Sequence, residues 1–223
     1  MKKATLPLIF QPFEAQDYIR LGKDYDGGYL VSKNDVTRAT SLVSFGVGQD
    51  TSFEEDFYEI NPCSIKAFDE IAFNLNNFFN ANKTITQQRV QRGPWFDNLL
   101  AGCGPNTFLK CDIEGAEYDL LNDLIKHSSK FCSMVIEFHD IQNPNNFDRL
   151  TNFLGKVEQK LIHTHINNNF YYYDREQVIP SVIELTFSSG ETMFNPSKKL
   201  PHSLDMPNHE NRGDIQVLWT HQR

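Results

Sequence analysis

The sequence has few cysteines, little positive charge and no long apolar run, and each shortage excludes a class of protein. Four cysteines in 223 residues, with no C-x-x-C pair, argue against a disulfide framework and favour buried thiols in a reducing compartment. The formal charge is −8, from 21 Lys+Arg against 29 Asp+Glu, and such a surface repels nucleic-acid phosphates and anionic lipids. No run approaches the roughly 20 apolar residues of a membrane span. We therefore expect a cytoplasmic protein with no nucleic-acid partner and no membrane span.

The composition supports one well-packed core. Hydrophobic residues make up 39% of the chain and aromatic residues 13%, which excludes a disordered or collagen-like chain. A chain of 223 residues buries roughly 70% of its unfolded surface, so it needs no covalent staples. We expect a single domain over residues 1–223, with residues 1–40 as an N-terminal cap or lid.

Short apolar runs alternate with amphipathic stretches along the chain. This alternation predicts an α/β fold, a mostly parallel sheet with helices on both faces. The last two strands have no helix between them, so we expect an antiparallel edge. The runs predict strands over 41–46, 64–69, 84–90, 107–112, 132–138, 160–166 and 182–187, and the amphipathic stretches predict helices from Ser52, from the second strand through Phe79, over 116–127 and over 146–159.

Two glycines follow the first strand of the predicted sheet. Gly46 and Gly48 allow a sharp turn and a close approach to a ligand, and Ser52 with Glu55 predicts a capping box at the next helix. The dinucleotide fingerprint requires a third glycine where Thr51 stands, and the acidic first turn of the helix opposes a pyrophosphate. The segment therefore favours a ligand with a positive centre and no phosphate. A simple tight turn is the alternative.

An acidic pair ends the second strand. Asp69 follows Gly46 by 23 residues, close to the spacing at which a carboxylate binds the hydroxyls of a ribose, and Glu70 comes next to it. We expect Asp69 to bind a ribose, with a helix N-cap as the alternative role.

The densest polar grouping follows the fourth and fifth strands. Asp112 ends one strand, and Glu137 and His139 end its neighbour, so carboxylates and an imidazole are expected to meet at one edge of the sheet. Such groups serve as a general base or hold Mg²⁺ or another divalent ion. The alternative for Glu114 and Glu117 is stabilisation of the helix dipole, and the alternative for His139 is a structural hydrogen bond.

Further polar and aromatic residues suggest a binding site for a second ligand, an acceptor molecule. His165, Asn167 and Asn168 end the sixth strand and are suitable hydrogen-bond partners for sugar or other polyol hydroxyls. Tyr29 ends a polar, glycine-marked turn that is either a simple β-turn or a lid. The aromatic run at 170–173 is either a stacking wall or ordinary packing.

Several of these segments resemble the successive motifs of FkbM-type methyltransferases, which are S-adenosylmethionine-dependent enzymes. The most specific match is the Lys-x-Asp-x-Glu-Gly-Ala-Glu segment at 110–117. The resemblance extends from about residue 20 to 219. The other matching segments lie at 44–48, 68–69, 136–139, 26–29, 165–168 and 180–186.

The resemblance implies a Rossmann-like class I methyltransferase fold with seven strands, and an enzyme that transfers a methyl group from S-adenosylmethionine. The implied acceptor is a hydroxyl of a sugar or another polyhydroxylated small molecule or glycan, as in surface-polysaccharide biosynthesis. We expect His139 as the general base, with Asp112 or Glu137 next. The expected cofactor contacts are Gly46, Gly48, Asp50, Ser52, Asp69, Glu70 and Asp112, and the expected acceptor contacts are Tyr29, His165, Asn167 and Asn168.

Three alternatives stay open. In a metal-dependent O-methyltransferase, Asp112, Glu137 and His139 are ligands of a divalent ion such as Mg²⁺ instead of acid–base groups. A nicotinamide-dependent oxidoreductase is disfavoured by the missing third glycine. A Rossmann-like domain that binds a ligand without catalysis is the third alternative.

Overall fold

The computed structural model describes residues 2–71, 82–195 and 199–221, and strands and helices alternate through most of them. The predicted helix through Phe79 falls largely outside the described residues. The strands are β1 (Lys2–Pro7), β2 (Tyr18–Leu21), β3 (Tyr29–Ser32), β4 (Ser41–Phe45), β5 (Ser64–Asp69), β6 (Lys83–Gln87), β7 (Thr107–Cys111), β8 (Phe131–Phe138), β9 (Lys160–Ile166), β10 (Tyr171–Asp174), β11 (Gln177–Pro180), β12 (Ile183–Ser188) and β13 (Ile215–Thr220), and the helices are α1 (Lys33–Arg38), α2 (Ser52–Ile60), α3 (Pro94–Ala101), α4 (Glu117–Lys126) and α5 (Pro144–Leu154).

The central element is a seven-stranded sheet of order β6-β5-β4-β7-β8-β12-β9. β4 pairs in parallel with β5 and β7, and β12 pairs antiparallel with both β8 and β9. The predicted α/β fold with a mostly parallel sheet is confirmed, and the antiparallel strand lies one position in from the edge. The strand order reverses between β4 and β7, and at such a point the carboxyl ends of parallel strands open a crevice.

Helices cover both faces of this sheet because alternate strand residues point to opposite sides. Val43 and Leu109 belong to an apolar cluster with residues of α3, α4 and α5. Leu42 and Phe108 belong to a second cluster with residues of α1 and α2. The parallel strands β4, β7 and β8 are buried on both faces, which explains why they are apolar runs in the sequence.

The structure contains a second, four-stranded sheet of order β10-β11-β1-β13, which the sequence does not predict. β1 pairs in parallel with β13 over its whole length, from Lys2 opposite Ile215 to Pro7 opposite Thr220. The aromatic run at 170–173 contributes to β10, where Tyr172 and Tyr173 are exposed.

Some helix boundaries differ from the predictions. The helix predicted over 146–159 begins at Pro144, because the Asn143 side chain accepts a hydrogen bond from Asn145 N at 3.0 Å and caps it, and it ends at Leu154. The predicted capping box at Ser52 is wrong: Thr51 is the N-cap, and the Ser52 hydroxyl instead accepts from Lys23 N at 2.9 Å. None of the helices in the described part of the chain has the length and apolar character needed to cross a bilayer.

Candidate active site

A cavity of about 680 Å³ opens at the carboxyl ends of β4, β5, β7 and β8. Residues 46–50, 68–71 and 112–116 line it, each range following or ending a different strand, and Glu137 and His139 line it from β8. On the other side it is bounded by Lys23, Asp26 and Gly27 of an N-terminal turn. The cavity therefore lies where open α/β sheets bind their ligands.

Gly46 and Gly48, the two glycines after β4, differ in the space that surrounds them. Both have positive φ, +75° at Gly46 and +60° at Gly48. A Cβ at Gly46 would lie 1.4 Å from the carbonyl oxygen of Asp112, whereas a Cβ at Gly48 would meet nothing within 4 Å. A glycine is thus required at position 46 because the ends of β4 and β7 pack closely there. This packing accounts for the glycine without the expected ligand contact. Gly48 is the glycine that leaves open space beside the cavity.

Asp69 is held by the backbone around it. Its Oδ2 accepts from Gly48 N at 2.9 Å and its Oδ1 accepts from Ile71 N at 2.8 Å. These bonds join the end of β5 to the turn after β4. Each carboxylate oxygen keeps a lone pair for another donor. The next residue, Glu70, is exposed and lies 4.0 Å from Arg89.

Asp50 and Ser52 anchor the N-terminal turn. Asp50 Oδ1 accepts from Ser52 N at 3.0 Å, and its Oδ2 lies 3.2 Å from Lys23 Nζ. Burial raises the pKa of Asp50, but bonds from Ser52 and Lys23 outweigh it and lower the pKa overall. Asp50 lines the cavity, whereas Ser52 is not among the lining residues in the part of the chain that the structure describes. The Ser52 hydroxyl accepts from Lys23 N, so it helps to fix the N-terminal turn, and a cofactor contact by Ser52 stays a prediction.

The hydroxyl of Tyr29 joins two carboxyl groups at the other end of the cavity. It lies 3.0 Å from Asp112 Oδ2 and 3.0 Å from Glu137 Oε2. A hydroxyl has one proton and donates to one carboxylate at a time, so the second contact is satisfied when one carboxyl group is protonated. Burial raises the pKa of Asp112, and burial with the charges of Asp112 and Glu184 raises that of Glu137 well above its usual range.

His139 lies among four carboxylates. Its Nδ1 is 3.1 Å from Glu117 Oε1, and its Nε2 is 3.5 Å from Glu114 Oε2 and 4.0 Å from both Asp112 Oδ1 and Glu137 Oε1. Burial lowers the pKa of His139, but the hydrogen bond to Glu117 and the surrounding negative charges outweigh burial and raise it to about 9. The ring is therefore protonated at neutral pH, which opposes a role as general base until positive charge enters the cluster.

Glu114 belongs to this cluster, although it is not among the site residues that the sequence predicts. It has a positive φ of +54°, which is uncommon for a residue with a side chain. One ligand atom each from Asp112, Glu114 and His139 lie within 4.8 Å of one another, a spacing that suits a metal ion. The Glu114-Gly115 pair marks a turn in the sequence but does not reveal that Glu114 adopts the left-handed conformation.

The expected acceptor residues of β9 separate into two groups. Asn167 lines the cavity and its Nδ2 donates to Glu137 Oε1 at 2.9 Å. His165 is buried with Nδ1 3.0 Å from Glu184 and Nε2 3.2 Å from Asp214, and Asn168 donates to backbone carbonyls. Neither His165 nor Asn168 is among the described lining residues. In this structure the polar side-chain atoms of these two residues bond to other parts of the protein, and their direct contact with an acceptor stays a prediction.

A second cavity of about 660 Å³ adjoins the first. Glu114, His139 and Phe170 line both. The second cavity is also lined by Tyr172 and Arg212, and Phe170 and Tyr172 are 65% and 57% exposed. The cluster around His139 therefore lies between the two cavities.

Comparison with solved structures finds methyltransferases. MycE methyltransferase from the mycinamycin biosynthetic pathway, solved in complex with Mg and SAH, is 12% identical with a TM-score of 0.48, over 76% of this chain and 49% of its own. Human methyltransferase 10 domain containing protein is 10% identical with a TM-score of 0.45, over 69% and 73%. Precorrin-6y C5,15-methyltransferase from Geobacter metallireducens GS-15 is 12% identical with a TM-score of 0.43, over 70% and 85%. No protein-family model and no curated protein matches the sequence. Similarity at this level concerns the Rossmann-like α/β fold alone.

Proposed function

We propose that this chain is an S-adenosylmethionine-dependent methyltransferase that acts on a hydroxyl of a sugar or another polyhydroxylated acceptor. The observation that carries the proposal is a single cavity with Gly48 and Asp69 at one end and the cluster of Asp112, Glu137 and His139 at the other. S-adenosylmethionine supplies an electrophilic methyl group, which bonds to the acceptor oxygen as the carbon–sulfur bond breaks and the sulfonium becomes a thioether. The sugar acceptor and the FkbM family rest on the resemblance of the motifs.

The glycine-turn end of the cavity suits an adenosyl group. The carboxylate of Asp69 is fixed by two backbone N–H groups and keeps lone pairs for the two hydroxyls of a ribose. Beside it, Phe68, Ile71 and Val90 line the cavity with apolar surface. Ile71 is 59% exposed, and such a side chain gains from covering a flat base.

The other end suits positive charge. The carboxyl groups of Asp112, Glu114 and Glu137 line the cavity there. Lys110 also lines the cavity, but its Nζ donates a hydrogen bond to Gly46 O at 2.6 Å. The sulfonium and ammonium groups of the cofactor are positive and it carries no phosphate, so its charge complements this end of the cavity.

His139 is the proposed base, and it can accept a proton only after its pKa has been lowered. The carboxylates hold its ring protonated, with a pKa raised to about 9 against the effect of burial. Positive charge beside Asp112 and Glu137 weakens their stabilisation of the imidazolium and lowers the pKa. Nε2, the ring nitrogen that faces Glu114 and Asp112, is then able to accept the hydroxyl proton.

A metal-dependent form is the second candidate, and the geometry of His139 favours it. Nδ1 bonds to Glu117, so Nε2 faces the carboxylates of Asp112 and Glu114. A histidine ligand commonly donates its other ring N–H to a carboxylate in this way. The oxygen and nitrogen donors of Asp112, Glu114 and His139, all within 4.8 Å, suit a divalent ion such as Mg²⁺ or Mn²⁺. Such an ion supplies charge that polarises the acceptor oxygen.

Calorimetric titration with S-adenosylmethionine and S-adenosylhomocysteine tests the proposal. We expect binding to the unaltered protein, loss of binding in Asp69→Ala, and binding without methyl transfer in His139→Gln. Asp148→Ala, at an exposed position of α5, is the control for Asp69→Ala. Absence of binding to the unaltered protein contradicts the proposal. A fluorescence change of a reduced nicotinamide dinucleotide would support the oxidoreductase alternative.

A further inference from the structure

Residues 22–28 form a cover on one side of the main cavity, which Lys23, Asp26 and Gly27 line. The cover is fixed internally: the Arg20 guanidinium donates to Lys23 O and Tyr25 O, each at 2.6 Å. Its bends are also too tight for other residues, since a Cβ at Gly22 would lie 2.2 Å from Gly27 O. The cover is therefore a preformed turn.

One side of the cover is attached to the start of α2. Gly22 N donates to Asp56 Oδ2 at 2.8 Å, Lys23 N donates to Ser52 Oγ at 2.9 Å, and Lys23 Nζ lies 3.2 Å from Asp50 Oδ2. These contacts hold one end of the cover but do not reach the cluster around His139.

The other side is attached through Asp26. Its Oδ1 accepts from Asn167 Nδ2 at 3.3 Å and from Asn208 Nδ2 at 3.1 Å. The same nitrogens donate at shorter distances to carboxylates of the sheet, Asn167 to Glu137 Oε1 at 2.9 Å and Asn208 to Glu184 Oε1 at 2.7 Å. An amide nitrogen has two hydrogens, so each asparagine divides them between the sheet and the cover.

We propose that Asn167 is a positioning residue that orients the Glu137 carboxylate in the reacting cluster and, with its second hydrogen, latches the cover at Asp26. Asn167 is 3% exposed, and its Oδ1 accepts from Asn169 N at 2.9 Å, which fixes the direction of its nitrogen. Asp26 is exposed and held at the longer distances. The latch therefore opens while Glu137 stays in place. Loss of Asn167 removes the orientation of Glu137 and one of the two bonds to Asp26, and the bond from Asn208 remains.

The effect on catalysis rests on the proposed function, but the latch itself does not. Hydrogen exchange of the amides in residues 22–28 reports opening of the cover in the protein alone. Single-turnover methyl transfer at saturating cofactor reports the positioning of Glu137. The two readouts separate the role of Asp26 from that of Asn167.

Three variants complete the test. Asn167→Asp keeps the acceptor for Asn169 N and removes both donated bonds, and Asp26→Ala removes only the latch. Asp24→Ala is the matched control, because Asp24 is an exposed aspartate of the same turn. Losing a hydrogen bond to a charged group typically changes an equilibrium by about tenfold or more.

We expect Asp26→Ala to speed exchange of the cover about tenfold and Asp24→Ala to leave it unchanged. Asn167→Asp should speed exchange by less than Asp26→Ala, because Asn208 still donates to Asp26. Methyl transfer should fall about tenfold in Asn167→Asp and stay within about twofold in Asp24→Ala. If Asn167→Asp does not fold, Asn167→Ser replaces it with the same expectations. Equal exchange in Asp26→Ala and Asp24→Ala overturns the latch, and equal transfer in Asn167→Asp and Asp24→Ala overturns the positioning role. If the protein binds no S-adenosylmethionine, the proposed function fails while the exchange result still decides the latch.

Discussion

Nδ1 of His139 lies 3.1 Å from Oε1 of Glu117, and the same carboxylate oxygen accepts from Ile113 N at 3.0 Å and Gly115 N at 3.1 Å. Glu117 is 1% exposed. The carboxylate therefore joins the turn after β7 to the imidazole that follows β8. The contact with Glu117 orients the imidazole ring, so that Nε2 is the nitrogen that faces Asp112 and Glu114.

A cation-dependent enzyme should respond to removal of that cation. We expect a chelator to abolish methyl transfer and added Mg²⁺ or Mn²⁺ to restore it, because Asp112, Glu114 and His139 offer one ligand atom each. Glu114→Gln should weaken Mn²⁺ binding, measured by electron paramagnetic resonance, by about 10-fold or more. Glu70→Gln, at an exposed carboxylate next to Asp69 in the lining of the cavity, is the control.

Two results would contradict the metal-dependent candidate. One is full activity in the presence of the chelator, and the other is equal Mn²⁺ affinity in Glu114→Gln and Glu70→Gln. Either result leaves the metal-free form, in which His139 Nε2 accepts the proton.

The glycine turn provides a matched pair of substitutions. Gly46→Ala should destabilise the fold by several kcal/mol, about 1–2 from the left-handed backbone and about 1–3 from crowding, since the new Cβ meets Asp112 O at 1.4 Å. Gly48→Ala should cost only about 1–2 kcal/mol, because its positive φ is the only penalty and the space around it is open. Urea unfolding of both variants measures the difference, and equal losses of stability would contradict this assignment.

The sheet and its strand ends were predictable because their signals are local. β4, β7 and β8 are buried on both faces and are therefore apolar runs in the sequence. Asp112 and Glu137 follow or end such runs, which is enough to bring them to one edge of the sheet.

The second sheet and the detailed roles of the polar residues were not predictable in this way. β1 pairs with β13 from the opposite end of the chain, and the sequence of Lys2–Pro7 alone gives no sign of that partner. His139 follows β8 and His165 lies near the end of β9, so both come at the end of an apolar run. The position of His165 opposite Glu184 in β12 depends on the antiparallel pairing of β9. Whether an imidazole faces the cavity or a buried carboxylate is therefore decided by tertiary packing.

His165 should make the stability of the protein depend on pH. Burial lowers its pKa, but the charge of Glu184 and the bonds to Asp214 and Glu184 outweigh burial and raise the pKa well above its ordinary value near 6.5. The folded state thus keeps a proton that the unfolded state loses as the pH rises above about 6.5. The resulting stabilisation is fully present below that pH and is lost as the pH rises towards and through the folded pKa.

The size of the effect follows from linkage. One proton held by the folded state alone changes the free energy of unfolding by about 1.4 kcal/mol per pH unit. We expect the stability measured in urea to fall between pH 7 and pH 9, and to fall less steeply in His165→Gln, which has no titrating ring at this position. His221→Gln, at an exposed residue near the C-terminus, is the control and should keep the slope of the unaltered protein. Equal slopes in His165→Gln and His221→Gln would show that Glu184 and Asp214 do not hold His165 in its charged form.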